Sequence, residues 1–240
     1  MTRHYPKLLI AIFLGMLLLP LRTLVLDPYA IEENFYARSR LIALTSNLRL
    51  TLGDRVFPKV LVGDDGWLVY TAAGDLDVYQ KSASFTEESL AQFQANLDSL
   101  SSTYAERGIT LIVVIVPSKN TIYPERVPAQ IPQIGSQSKL DQVAAYLSAH
   151  GETQILDLRP ALLQAKTERE IYLATDTHWN DYGAYLAYSL LLERLSETHP
   201  NLSPRPLSDF AEQALEPEPL DLANVIGGTS LTESKLRLAP

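Results

Sequence analysis

The stretch ITLIVVIVP, residues 109–117, is an almost unbroken run of β-branched and aliphatic residues closed by a proline. It shows no polar–apolar alternation, so it predicts a strand covered on both faces, the condition of a parallel strand between layers of helices. Just upstream, residues 84–108 read SFTEESLAQFQANLDSLSSTYAERG, with Leu90, Phe93, Leu97, Leu100 and Tyr104 at spacings of three and four. That period gathers them on one face of a helix, with Ser84 and Glu87 as a capping box at its start and Gly108 as its stop. Downstream the alternation continues. A proline-rich loop, PSKNTIYPERVPAQIP (117–132), is followed by a helix around SKLDQVAAYLSAHG (138–151) and a strand TQILDL (153–158). Then come a short helix around PALLQAKTERE (160–170), a strand IYLAT (171–175) and a helix YGAYLAYSLLLERLSE (182–197). Strands alternating with helices predict an α/β fold, an open and mostly parallel doubly wound sheet flanked by helices. In such sheets a ligand lies beyond the carboxyl ends of the strands.

Before the first of these helices, VLVGDDGWLVYT (60–71) places Asp64, Asp65 and Gly66 between two β-prone runs. This predicts a hairpin whose turn needs a glycine at positive φ, with Trp67 packing the hairpin onto the body. The tail from residue 198 to residue 240 is rich in proline and acid; it predicts no strand and does not complete a fold.

A chain of 240 residues that is 46% hydrophobic can bury the core of one globular domain and carry an appended element. Its net charge of −8, with no Lys/Arg-rich run, argues against nucleic acid as a partner. The absence of cysteine excludes disulfides, thiolate metal sites and a cysteine nucleophile. The start of the chain is basic at Arg3 and Lys7, apolar over residues 8–21, then carries Arg22 and a second apolar patch ending at Leu26. This is the architecture of an export signal, and with Arg22 snorkelling it reaches the roughly 20 residues that span hydrocarbon. The bulky residues of LLLPLRTLVLD offer no small-x-small cleavage site, which favours a retained anchor. By the positive-inside rule the body then faces the periplasm or cell exterior from an inner-membrane anchor. The expected organisation is an anchor over 1–26, a juxtamembrane linker over 27–59 and a domain over 60–240.

The stretch IYLATDTHWND (171–181) ends a predicted strand with more chemistry than a turn needs. In extended backbone Asp176 and His178 point to the same side, so the carboxylate can fix the imidazole tautomer and stabilise the imidazolium formed when the ring takes a proton. Asp176 and His178 are therefore the candidate orienting acid and base, against the plainer reading of a helix start capped by Asn180 or Asp181. No third ligand stands at a recognisable metal spacing, so neither a metal nor another cofactor is expected. Trp179 suits either packing at the helix start or stacking on a sugar, and Asn180 adds a polar group beside it. Ser118 and Lys119 leave the central strand where a ligand would lie, as substrate-binding groups or as a solvated loop tip. Ser118 lacks the glycine-flanked turn of a nucleophilic serine, and Ser230 in GGTSLT has no apolar strand before it.

Three stretches taken together, VGDDGWLVY (62–70), IVVIVPSKNTIYPERVP (112–128) and DTHWNDYGAYLAY (176–188), resemble in that order the SGNH hydrolase-like domain of the alginate O-acetyltransferase family, the AlgJ and AlgX proteins. The resemblance implies an SGNH-like fold and a periplasmic enzyme that moves acetyl groups onto hydroxyls of an exported polysaccharide through an acetyl-serine. It implies Asp176 as acid and His178 as base, and an acetyl donor passed on by a membrane acyltransferase. The family's nucleophile follows in a Gly-Asp-Ser or similar turn after another strand, and no such turn precedes Pro240. A chain truncated at its C-terminus is the favoured expectation; a shortened protein without catalysis or the use of another serine are the alternatives. The rival functions are a non-catalytic polysaccharide-binding or assembly module and an acetyl esterase.

Overall fold

The computed structural model describes residues 5–26, 38–151, 153 and 155–240. Part of the expected linker, residues 27–37, and the basic Arg3 lie outside the described residues. The chain divides into two units, the first comprising Met1–Asp54 with Ile226–Thr229 and the second Arg55–Val225 with Ser230–Pro240. In the first unit, α1 (Tyr5–Leu26) carries the apolar run, with Leu9 and Phe13 more than half exposed. Its side chains are described only over 7–18, and among the described residues no helix is long and apolar enough to cross a membrane. α2 (Arg38–Thr51) makes the segment before the domain more regular than its sequence suggests. Asn47 of α2 donates to the Thr229 hydroxyl at 2.9 Å within the same unit.

The second unit opens with a three-stranded antiparallel sheet, β1 (Val56–Phe57), β2 (Val60–Val62) and β3 (Leu68–Tyr70), in that order. The predicted hairpin forms, pairing Val60 with Tyr70 and Val62 with Leu68 around a 3-10 turn at Asp64–Gly66. Gly66 has φ of +80°, a conformation that costs a glycine nothing. α3 (Asp75–Gln80) and α4 (Glu87–Ala105) follow. The cap of α4 is Thr86, whose hydroxyl accepts from the Ser89 amide at 3.1 Å, rather than the predicted Ser84; the cap lies two residues later because Thr86 holds the extended backbone of an N-cap. Gly108 adopts φ of +70° just after the helix, where it was expected to end it.

The central parallel pair is β4 (Val113–Ile115) with β5 (Ile155–Asp157), in register from Val113–Ile155 to Ile115–Asp157. The doubly wound sheet expected from the alternation is not seen among the described residues: these two strands are the whole parallel sheet. β4 is shorter than the run 109–117 and only half-buried, because one neighbouring strand cannot pair or cover the rest. The helices around the pair are α5 (Lys119–Ile122), α6 (Lys139–His150), α7 (Arg159–Ala165) and α8 (Asp181–Ser196). The predicted strand 171–175 is buried backbone with one isolated bridge, Tyr172 to Trp179. Its polar groups are claimed elsewhere: the Tyr123 hydroxyl accepts from the Ile171 amide at 3.0 Å, and the Leu68 amide donates to the Ala174 carbonyl at 2.9 Å. Backbone so engaged has no ladder to offer a neighbour. The tail also departs from its prediction. It forms β6 (Ala211–Ala214), α9 (Asp221–Val225) and β7 (Leu236–Ala239), with β6 and β7 paired antiparallel over four residues.

The main core joins these elements. Trp67, Ile122, Tyr123, Leu158, Leu162, Ile171 and Tyr172 form one buried cluster, with the Trp67 and Tyr123 rings 4.5 Å apart. Ile171 and Tyr172 thereby anchor the start of the stretch 173–178 in close-packed apolar surface.

Candidate active site

Residues 173–180 return on themselves before entering α8. The Leu173 amide donates to the His178 carbonyl at 3.2 Å, and the Asn180 amide to the Ile171 carbonyl at 3.0 Å. Asn180 caps α8, its Oδ1 accepting from the Gly183 amide at 2.9 Å while its Nδ2 holds the Glu170 carbonyl. The helix start sits so close to Ile171 that a Cβ on Gly183 would lie 2.5 Å from the Ile171 carbonyl oxygen. Within this turn Asp176 Oδ1 accepts both from the His178 amide, at 2.9 Å, and from the ring Nδ1, at 2.6 Å. The two side chains meet through an Asx-type turn, a tighter cause than the strand alternation invoked from sequence.

An ionised carboxylate can only accept, so Nδ1 carries the proton and Nε2 is the free acceptor of the ring. Burial alone would raise the Asp176 carboxyl; the hydrogen bonds from the amide and ring of His178 outweigh it and hold the group below the usual carboxylate range. Asp176 is 14% exposed and His178 74% exposed, so the pair has a sheltered acid and an open base. A second carboxylate reaches the ring from the tail: Asp221 Oδ2 lies 3.7 Å from Nδ1. Asp221 also accepts from the Thr177 amide at 2.9 Å and from the Thr177 hydroxyl.

Lys119 lies beneath this turn. Only 5% exposed, it donates from Nζ to the carbonyls of Leu173, Ala174 and Asp176 at 3.1, 3.0 and 2.6 Å. Burial pushes its ammonium down to about 8, against the pull of Glu233, Asp221, Asp176 and Asp75. From the opposite side the Glu233 carboxylate accepts from the Ala174 amide at 2.9 Å, the Thr175 amide at 2.7 Å and the Thr175 hydroxyl at 2.8 Å.

Ligand atoms of Asp176, His178 and Asp221 lie within 4.8 Å of one another and could hold a metal ion. The sequence offers no such trio because Asp221 arrives from another element. An ion bound at Nδ1 would displace the proton that joins the ring to Asp176, so the same atoms cannot serve both arrangements.

The match to known proteins covers this region. Residues 60–239 fit the family model described as "SGNH hydrolase-like domain, acetyltransferase AlgX". The chain belongs to that family. It is 30% identical, over 91% of its length, to a probable alginate O-acetylase AlgJ of Pseudomonas syringae pv. tomato, and spans 59% of that relative. It is 29% identical to the probable alginate O-acetylase AlgJ of Pseudomonas aeruginosa, over 71% of this chain and 43% of the relative. The chain thus spans about half the length of these curated relatives. The structure of Bacillus cereus PatB1 with a sulfonyl adduct superposes with a TM-score of 0.55 over 75% of this chain and 56% of the other, at 18% identity, a likeness of fold.

Against the SGNH-like fold of the family, the sequence-predicted residues fall into two groups. Asp176 and His178 come together, and Asn180 caps the helix behind them. Trp179 packs, half-buried, against the main core. Ser118 bonds Thr121 at 3.1 Å, and Lys119 spends its donors on backbone rather than offering them to a ligand. On its far side the Ser118 loop borders an apolar cavity of about 520 Å³ lined by Phe85, Phe93, Val116 and Val143, which neither His178 nor Asp176 lines. Asp221 and Glu233 were missed. They stand in DLANV and TESKL, whose local sequence gives neither a link to residues 173–177, and only the folding of the tail brings them to the turn.

Proposed function

We propose that this chain carries the acid–base apparatus of a polysaccharide O-acetyltransferase acting on alginate or a similar exported polymer. The observation that carries the reading is the 2.6 Å contact between Asp176 Oδ1 and the Nδ1 of a largely exposed His178. As a hydroxyl adds to the acetyl carbonyl carbon, its proton passes to Nε2 and the ring becomes an imidazolium stabilised by Asp176. When the tetrahedral intermediate collapses, the ring returns the proton to the departing oxygen. Run twice, from donor to an enzyme serine and from that serine to a sugar hydroxyl, the cycle moves one acetyl group and leaves the ring neutral.

Ser118 is engaged with Thr121, and residues 1–240 hold no Gly-Asp-Ser turn that would present the serine. The reading further places the domain outside the inner membrane, tethered by the N-terminal apolar segment, and takes its acetyl groups from a membrane acyltransferase. In cells that secrete the polymer, His178→Ala abolishes its O-acetyl content while polymer yield and protein level stay at wild-type values. Unchanged acetylation would sink the reading. Loss of the polymer itself, rather than of its acetyl groups, would mark an assembly module instead.

A further inference from the structure

The turn that carries Asp176 and His178 is gripped by charges that take no part in the proton transfer. Three of its peptide groups are held in the same way. In the group joining Leu173 to Ala174, the carbonyl accepts from Lys119 and the amide donates to Glu233. The next group, Ala174 to Thr175, repeats this with the same two side chains. The group joining Asp176 to Thr177 again gives its carbonyl to Lys119, and its amide donates to Asp221. Thr175 completes the set: its carbonyl accepts from the Leu222 and Ala223 amides in the first turn of α9, at 3.1 and 3.3 Å.

We propose that Lys119, Glu233 and Asp221 are positioning residues for the Asp176–His178 pair, clamping three peptide planes between one buried ammonium and two carboxylates. The proposal rests on the acetyl-transfer reading above for the pair's chemical role, though not for its geometry. Each held plane has its oxygen toward a cation and its N–H toward an anion, so it cannot rotate without breaking two charge-assisted bonds, which are roughly twice as strong as neutral ones. Lys119 has three donors and all are used on the turn, which leaves none for substrate. Because Asp176 both holds the ring and ends the clamped segment, the orientation of the plane at residue 176 sets where Oδ1 meets Nδ1. Misplacing such a contact by about 1 Å costs on the order of a hundredfold in rate.

The test uses the protein at its natural length. In the wild type, hydrogen exchange at the amides of Ala174, Thr175 and Thr177 is slowed at least about a hundredfold relative to an unfolded chain. Fast exchange at these amides overturns the clamp without any variant. Glu233→Gln changes one oxygen to an amide nitrogen at constant size. It moves the imidazole 15N resonances of His178 away from a single Nδ1–H tautomer and lowers kcat for acetyl transfer at least about tenfold with KM for the acceptor unchanged. Lys119→Met has the same effects; if it fails to fold, Glu233→Gln decides alone. Folded variants that keep the wild-type tautomer and kcat overturn the proposal. If the wild type transfers no acetyl group, the functional reading fails, while the exchange and tautomer measurements still decide the clamp.

Discussion

The carboxyl ends of the two parallel strands each lead to a sheltered cation, and the two are used in opposite ways. After β5, Arg159 forks onto Asp157 at 3.0 and 2.6 Å and reaches Asp141 at 2.5 Å, a cluster made of side chains. After β4, Lys119 makes no ion pair within bonding distance among the described residues; its charge is met by backbone carbonyls and, further away, by Glu233, Asp221, Asp176 and Asp75. A planar guanidinium suits carboxylates side-on and joins α6 to α7, whereas an ammonium with three diverging donors suits converging carbonyls. The first arrangement ties helices together. The second shapes the turn that joins Asp176 to His178.

The comparison breaks most visibly through Lys119. Replacing it with alanine strands the Leu173 and Asp176 carbonyls, while the Ala174 carbonyl keeps the Leu68 amide, so urea unfolding is expected to show a loss of about 3–5 kcal/mol. Arg159→Met leaves Asp157 and Asp141 half-exposed and able to recruit water, and the same measurement is expected to show about 1–3 kcal/mol. If the two losses are equal, the contrast between backbone-bound and carboxylate-bound cations is wrong.

The smallest effect is one of pH, and it has opposite placement in the two regions. Burial would raise Asp157 and Asp141, but hydrogen bonds from Arg159, and from Ser138 to Asp141, hold both below the ordinary 3.8. Their folded forms release protons more readily than the unfolded chain. Their contribution is therefore complete above the ordinary value and is lost as pH falls through the lower folded one. Lys119 sits at about 8 in the fold against an ordinary 10.5. Between those values the unfolded chain binds a proton that the folded chain has released, so this group makes stability rise with pH across that window and withdraws the gain as pH falls through about 8. Urea midpoints followed through both ranges sharpen the comparison: Arg159→Met flattens the acid limb alone and Lys119→Met the alkaline limb alone.

Much of the site was readable before folding because its pieces are local. Asp176 and His178 are two residues apart and Asn180 caps the helix that follows, so one turn contains them all. The hairpin at Asp64–Gly66 was likewise local, its conformation demanded by a glycine at positive φ. Lys119 was noticed but assigned outward, since a lysine at a loop start carries no mark of burial until Leu173, Ala174 and Asp176 turn their carbonyls toward it. The stretch 171–175 has a strand's composition, yet its backbone goes to Tyr123, Leu68, Lys119 and Glu233. Apolar composition reports burial; it cannot report which partner takes the hydrogen bonds.

By itself, the sequence determined the α/β content, the hairpin at Asp64–Gly66 and the nearness of Asp176 to His178, because periodicity and short-range turn chemistry act over a few residues. Tertiary structure alone decided that the acidic tail folds back as β6, α9 and β7, that Asp221 and Glu233 reach the turn, and that Lys119 is buried beneath it. Those contacts join residues far apart in the chain. Their free energy comes from desolvated charges meeting oriented peptide dipoles, an arrangement that exists only once the core has brought the segments together.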